Sequence, residues 1–523
     1  MTISGKVGKL GEILLATSLI TSEQLNKAIA AQARTGKRLG QILVEQGAAT
    51  EDDVAWALSN QLMYPYIFLS RDIIDDEVVR LLPEAFLREH RVLPIQKFGQ
   101  QVTLAMADPT DQHTVDEVAA QTGLQVNRAV ALASNIEETL RQLPSQQPRT
   151  PRRRPQGPEA QYLQFHLAHA LHEGATEIHF DQAGEAQHRV RYRLQGTLVD
   201  RAGHQGDLHA GLIRHLRDFA GLADSPAAAA AVTVRIGEVE VRAMVSIVPA
   251  TGGPAATIAL HPYRTGVPDL VPLGIGRKTL LVLRGALKGA RGALVIGCAD
   301  PLVRSTLIRA ILPATHREEV WALETLPVYR HSAITQTAVI SSAQAAPLLA
   351  GTFGASSGLV AVDDASHAAT LVAAFERARV QRVVLGHPQD DTVGLVAQVL
   401  ETAGGALVAS TLTGVLAART VRLLCPQCKE RVRPGSGAAN GRHTFTPRGC
   451  AACSFTGFRG YRVLTEVWLP GPKDRGRLRG GARETTLARF AQAAGPSMRA
   501  QGHALVDDGL TSVEELSRVL EGF

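Results

Sequence analysis

Aromatic residues are scarce, at 4% of 523 positions, and the net charge of +6 is mild for this length. A nucleic-acid surface needs a concentrated basic face, usually with aromatics among the cations, and neither is present, so direct nucleic-acid binding is not expected. No uncharged run is long enough to span a bilayer. Met1 to Gly11 carries charges in a polar amphipathic pattern, where a signal peptide would place an apolar core and a cleavage site. Cysteine occurs five times, too rarely for a disulfide scaffold. The expectation is a cytoplasmic protein, in which paired cysteines are more often metal ligands than disulfides.

What is present is globular: 45% hydrophobic and 20% charged residues, over a length that calls for several cores. The first seventy residues repeat internally. Leu10-Gly-Glu-Ile-Leu and Leu39-Gly-Gln-Ile-Leu lie 29 positions apart, and Thr21/Thr50, Ala28/Ala57 and Gln32/Gln61 keep that spacing. Each copy reads as a short helix, a turn near Ser18 or Gly47, a threonine cap and a second amphipathic helix. Apolar strands such as Val102 to Met106 then alternate with helical stretches, a small α/β unit completing a domain over 1–143.

Residues 144–158 form a Pro-rich, basic linker whose arginines (Arg149, Arg152, Arg153, Arg154) read as a solvated charge run. A mixed α/β domain follows over 159–265, with a helix at Tyr162 to Glu173 and strands at Thr176 to Asp181 and Arg189 to Leu194. From 266 to 523, short apolar runs at Ala293, Val320, Leu359, Val383 and Ala406 are separated by helix-length segments. They predict a largely parallel, doubly wound sheet, whose ligands sit at the carboxyl ends of the strands. The fold class is therefore α/β multidomain.

Cys425, Cys428, Cys450 and Cys453 form C-x2-C, 21 residues, C-x2-C. Each pair places two thiolates on one knuckle, and two knuckles complete a tetrahedral zinc site. With no open coordination position and no acid–base cluster beside it, the site over 425–453 reads as structural. The fifth cysteine, Cys298, reads as a small buried residue.

The stretch from Cys450 to Cys453, with Gly457 and Gly460 after it, resembles the zinc element of the GspE/PulE/PilB family of type II secretion and type IV pilus assembly ATPases. Ala175 to Asp181, Arg189 to Gly196, Ala322 to Arg330 and Ala406 to Leu412 resemble further family motifs in the same order. The tandem repeat is similar to the family's MshEN-type domain. The resemblance implies a RecA-like ATPase core, and normally a hexameric ring acting on an inner-membrane platform, so that the chain would sit peripherally at that membrane through its partners. A hetero-oligomer with an active paralogue is the other assembly considered.

The nucleotide residues that the resemblance implies are altered. A P-loop surrounds phosphates with backbone N–H groups, with a Lys on the terminal phosphates and a Ser/Thr hydroxyl on magnesium. Aligned without gaps from Arg291, the family's Lys falls on Arg304, its hydroxyl on Ser305 with Thr306 next, and its last glycine on Val303. Taking Gly297 as the first glycine puts Val303 at the Lys position. Pro301 lacks an N–H and Asp300 brings negative charge. The catalytic glutamate falls on His387 and the following arginine on Gln389. The two histidines fall on Ala406 and Thr413, while Glu324 is kept and Thr325 replaces an aspartate. Ala223-Asp-Ser-Pro and the alanine run after it stand where the family has trans-acting arginines, although Arg189, Arg191 and Arg193 remain.

The expected reading is a degenerate family member, a pseudo-ATPase scaffold or regulator of a secretion or pilus apparatus, with structural zinc and at most weak ATP/Mg binding at Arg304, Ser305 and Thr306. One alternative is an active motor with an atypical P-loop. The other is a cyclic di-GMP-responsive adaptor. In related N-terminal domains the repeated motif binds cyclic di-GMP, and the matching residues here are Lys9, Leu10, Gly11, Leu14, Arg38, Leu39, Gly40, Leu43 and Gly47. Helix packing alone also accounts for the four leucines.

Overall fold

The computed structural model describes residues 9–16, 19–62, 64–67, 69, 74–142, 157–182, 188–201, 208–222, 225–236, 239–266, 268–312, 319–332, 334–339, 341–351, 358–432, 444–480, 487 and 496–520. Ser18, Ala223, Asp224, the linker up to residue 156 and the middle of the inter-cysteine loop lie outside them. The chain divides into two compact units: residues 1–262 with 448–457, and residues 263–447 with 458–523.

The first unit opens with four helices: α1 (Leu10–Ala16), α2 (Ser22–Thr35), α3 (Leu39–Glu45) and α4 (Glu51–Leu62). Both threonines act as expected. Thr21 Oγ1 accepts from Gln24 N–H (3.2 Å) while the Gln24 side chain accepts from Thr21 N–H (2.7 Å). Thr50 and Asp53 make the same reciprocal pair at 3.1 and 2.9 Å, so two orphan donors are satisfied at the start of each long helix. Beyond the helices, β1 (Val92–Phe98) runs antiparallel to β2 (Gln101–Met106), and β3 (Gln125–Val130) parallel to β2.

A six-stranded antiparallel sheet follows in the order β6-β5-β4-β9-β8-β7. Its strands are β4 (Glu177–Gln182), β5 (His188–Leu194), β6 (Thr197–Arg201), β7 (Ala228–Ile236), β8 (Val239–Val248) and β9 (Ala255–Pro262). Alternation decides which face is core. Val190, Tyr192 and Leu194 are buried against helix Pro158–His172, while Arg189, Arg191 and Arg193 occupy the other face. Tyr192 is fully buried and its hydroxyl lies 2.7 Å from His166 Nδ1, the partner a buried phenol requires.

In the second unit, β10 (Arg264–Thr265) pairs in parallel with β13 (Tyr329–Arg330). The main sheet has the order β14-β12-β15-β16-β11-β17-β20. Its members are β11 (Gly292–Cys298), β12 (Val320–Glu324), β14 (Thr335–Ala338), β15 (Leu359–Val362), β16 (Arg382–His387), β17 (Leu412–Leu424) and β20 (Phe458–Trp468). All neighbours are parallel except β17 with β20. The interior strands are buried on both faces, which is why they read as unbroken apolar runs. The run at Ala406 is a correction to the sequence reading. It forms a helix, Gly405–Thr411, and the strand begins only at Leu412. Val408, Ala409 and Thr411 are buried while Ala406 and Ser410 are exposed, a one-sided pattern at helical spacing. Four apolar residues in a row do not discriminate it from a strand.

Among the described residues no single helix is long and apolar enough to cross a membrane.

Candidate functional sites

The carboxyl ends of β11, β12, β15 and β16 bring together the residues expected around a nucleotide. Only Ala299 and Asp300 separate the end of β11 from helix Pro301–Ile311. Asp300 caps that helix, its carboxylate accepting from Leu302 N–H at 2.9 Å and Val303 N–H at 3.1 Å. Pro301 fits the first helical position because an N–H there has no intrahelical partner. The N-terminal amides that would attract an anion therefore already hold one.

Arg304 is 4% exposed. Its Nε donates to Asp363 O (2.8 Å), one terminal nitrogen to Cys298 O (2.8 Å) and the other to Asp364 Oδ2 (3.2 Å). The guanidinium thus ties β11 to the end of β15. Ser305 is buried, and Thr306 Oγ1 donates to Leu302 O at 2.7 Å. Glu324 accepts from Arg309 (2.6 Å) and Gln336 (2.7 Å), a buried network. Burial lowers the pKa of Arg309 against the pull of Glu324 and Asp363. Asp363 accepts from Thr325 N–H (2.8 Å) and Leu326 N–H (2.9 Å), and burial raises its pKa despite those bonds.

His387 is 2% exposed, and burial followed by the charge of Arg304 depresses its pKa, so the ring is neutral. Its Nδ1 accepts from Gln389 N–H at 3.1 Å, and the Gln389 side chain donates to Asp391. Thr413 Oγ1 donates to Ala293 O at 2.9 Å, at the far end of β11 from Arg304. Gly297 is needed for a close approach: a Cβ there would lie 2.2 Å from Gln389 O. Cys298 is buried as expected, and desolvation pushes its thiol up to about 12. On the sheet face of the first unit, Arg191 and Arg189 pair with Asp181, and Arg193 with Glu177 at 2.7 Å. Asp363 and Asp364 were not singled out from the sequence. The available signal was a buried apolar strand ending in two carboxylates.

The four cysteines sit where β17 ends and β20 begins. Their Sγ atoms all lie within 4.8 Å of one another, with Cys450 and Cys453 at 3.9 Å. Four thiolates around zinc at about 2.3 Å stand about 3.8 Å apart, so the donor set fits a tetrahedral thiophilic ion. Cys450 N–H and Gly457 N–H both donate to Cys453 Sγ at 3.2 Å.

In the helical repeat, Leu14 and Leu43 are fully buried. A Cβ on Gly11 would lie 2.7 Å from Leu25 Cδ1 and 3.4 Å from Leu39. One on Gly40 would lie 2.6 Å from Val54 Cγ1 and 3.5 Å from Leu10. Leu25 and Val54 are themselves 29 positions apart, so each glycine serves its own copy's long helix and the first leucine of the other copy. Gly47 takes φ +65° in the turn before α4. Lys9 and Arg38, at equivalent positions, are exposed, and Arg38 pairs with Asp108.

The fold and these sites define a mixed α/β protein with a tight strand-to-helix unit after β11 and a cluster of four cysteines. Residues 62–150 match the MshEN domain and residues 379–518 the Type II/IV secretion system protein model. The Type IV pilus assembly ATPase PilB of Myxococcus xanthus is 24% identical over 560 residues, covering 97% of this chain and 98% of its own. The Type II secretion system protein E of Pseudomonas aeruginosa is 25% identical over 449 residues, covering 82% and 88%. A solved structure of MshE with cdg is 31% identical over 26% of this chain and 97% of that one, with a TM-score of 0.24. Both models and both relatives point to the type II secretion and type IV pilus assembly ATPases, the GspE/PulE/PilB family that the chain resembles.

Proposed function

We propose that this chain is a non-hydrolysing member of its family, a scaffold or regulator that assembles with a secretion or pilus apparatus at an inner-membrane platform. The observation that carries this reading is the internal occupation of the phosphate position: Asp300 caps the helix amides and Arg304 is bound to Asp363, Cys298 and Asp364. A neutral His387 supplies no carboxylate to orient an attacking water beside magnesium. Asp181 pairs with Arg191 and Glu177 with Arg193 within the chain, which engages two of the three strand arginines closely. ATP turnover and nucleotide binding, measured together on the purified full chain, test this. Turnover at the buffer rate is expected, and hydrolysis that scales with enzyme concentration through purification would overturn it.

Zinc at Cys425, Cys428, Cys450 and Cys453 is part of the proposal. It supplies cross-linking alone, because four thiolates leave no position open for chemistry. The division into domains at 1–143, 159–265 and 266–523 is kept as the working scheme for variants.

Cyclic di-GMP at the helical repeat is a second reading, favoured by exposed cations at equivalent positions, Lys9 and Arg38. Breaking the Arg38–Asp108 surface pair costs little, so Arg38 is available to an anion. Titration calorimetry with cyclic di-GMP should give heat that Lys9→Ala/Arg38→Ala removes. Absence of heat at high ligand concentration would end this reading.

A further inference from the structure

The second cysteine knuckle carries a side chain that metal binding does not require. Ser454 and Phe455 both adopt left-handed backbone, φ 49° and 59°, which side chains rarely take twice in succession. Hydrogen bonds around the cysteines hold the turn: Phe455 N–H to Cys450 O at 2.8 Å, Thr456 Oγ1 to Cys453 O at 2.7 Å, and Gly457 N–H to Cys453 Sγ at 3.2 Å. The turn seats the Phe455 ring on Trp56 of α4, with centroids 4.9 Å apart and planes 19° apart, and edge-on to Tyr66 at 6.0 Å. Arg448, at the start of the same stretch, donates to Leu19 O, in the turn between α1 and α2. Residues 448–457 and the helical repeat thus belong to one compact unit through contacts hundreds of positions apart in sequence.

We propose that residues 448–457 are a metal-set latch for the helical repeat. Metal at the four cysteines holds the Ser454–Phe455 turn in its left-handed form, which seats Phe455 on Trp56, and loss of the metal undocks the ring. This rests on the zinc reading above. Without metal, four thiols crowd within 4.8 Å, and the cross-link that adds to the hydrogen bonds of the turn is lost. Because coupling between two events is reciprocal, docking must in turn tighten the metal.

The test uses the full chain labelled with 5-fluorotryptophan, which contains three tryptophans, with the Trp56 fluorine resonance assigned by Trp56→Phe. Chelation of the wild-type chain, Cys450→Ser and Phe455→Ala should all move the Trp56 resonance in one direction and leave those of Trp321 and Trp468 in place. Zinc should leave the Phe455→Ala chain about tenfold more readily in chelator competition, the worth of a stacked aromatic contact. A chain that contains zinc, but whose Trp56 resonance ignores its removal, would overturn the latch and leave the metal reading intact. A chain purified without zinc would overturn both, and metal analysis separates the two cases.

Discussion

Arg304→Ala is expected to lower the thermal midpoint of the full chain by roughly 10 °C while ATP turnover stays at the buffer rate. The substitution leaves the carbonyls of Cys298 and Asp363 without their donor and Asp364 without its ion pair. Removing one partner of such a buried set costs about 3–5 kcal/mol. In a working phosphate site the same residue faces the nucleotide, and its loss would abolish turnover with a smaller effect on the apoprotein. The two roles therefore predict opposite patterns: midpoint without activity here, activity with little midpoint in a motor. Differential scanning fluorimetry beside a phosphate-release assay distinguishes them. A large fall in turnover on Arg304→Ala would refute the structural role.

Chelation is expected to have the second largest effect, confined to the cysteine element and what it holds. Structural zinc contributes on the order of 10 kcal/mol of apparent binding free energy in isolated fingers at neutral pH. Here the knuckles hang from β17 and β20, a long antiparallel pair buried on its own account, so metal loss should melt the element and not the sheet. In hydrogen exchange, amides of Cys428, Cys450, Cys453 and Gly457 should lose protection, while those of β11 and β16 keep it. Cys425→Ser should reproduce the pattern without chelator. Unchanged exchange at the knuckles of a zinc-free chain would show that the element stands without metal.

The parts legible in the sequence were those with local chemical signatures. The 29-residue repeat, the caps at Thr21 and Thr50, and the paired cysteines each depend on residues close in the chain, and the structure places them as their spacing implies. The apolar strands of the second unit were legible as well, because strands buried on both faces need continuous apolar runs. Ala406 to Ala409 marks the limit, since a short apolar run has no period of its own. The partners of Arg304 were not legible. Asp363 and Asp364 lie 59 and 60 positions further on, and only the sheet order, which sets β15 beside β16 and β16 beside β11, brings them near. Phe455 was hidden for the same reason: its partner Trp56 lies 399 positions earlier in the chain.

The two-residue connection between β11 and its helix has an implication for reversibility. Arg304→Lys alone is expected not to build a phosphate site, since the helix amides would still face the carboxylate of Asp300, and Ala299 and Asp300 are too few to arch around a triphosphate. On the non-hydrolysing reading proposed above, a phosphate site would require an insertion and two or more replacements together. Single steps toward it would each break a cap or a buried pair and pass through a less stable chain.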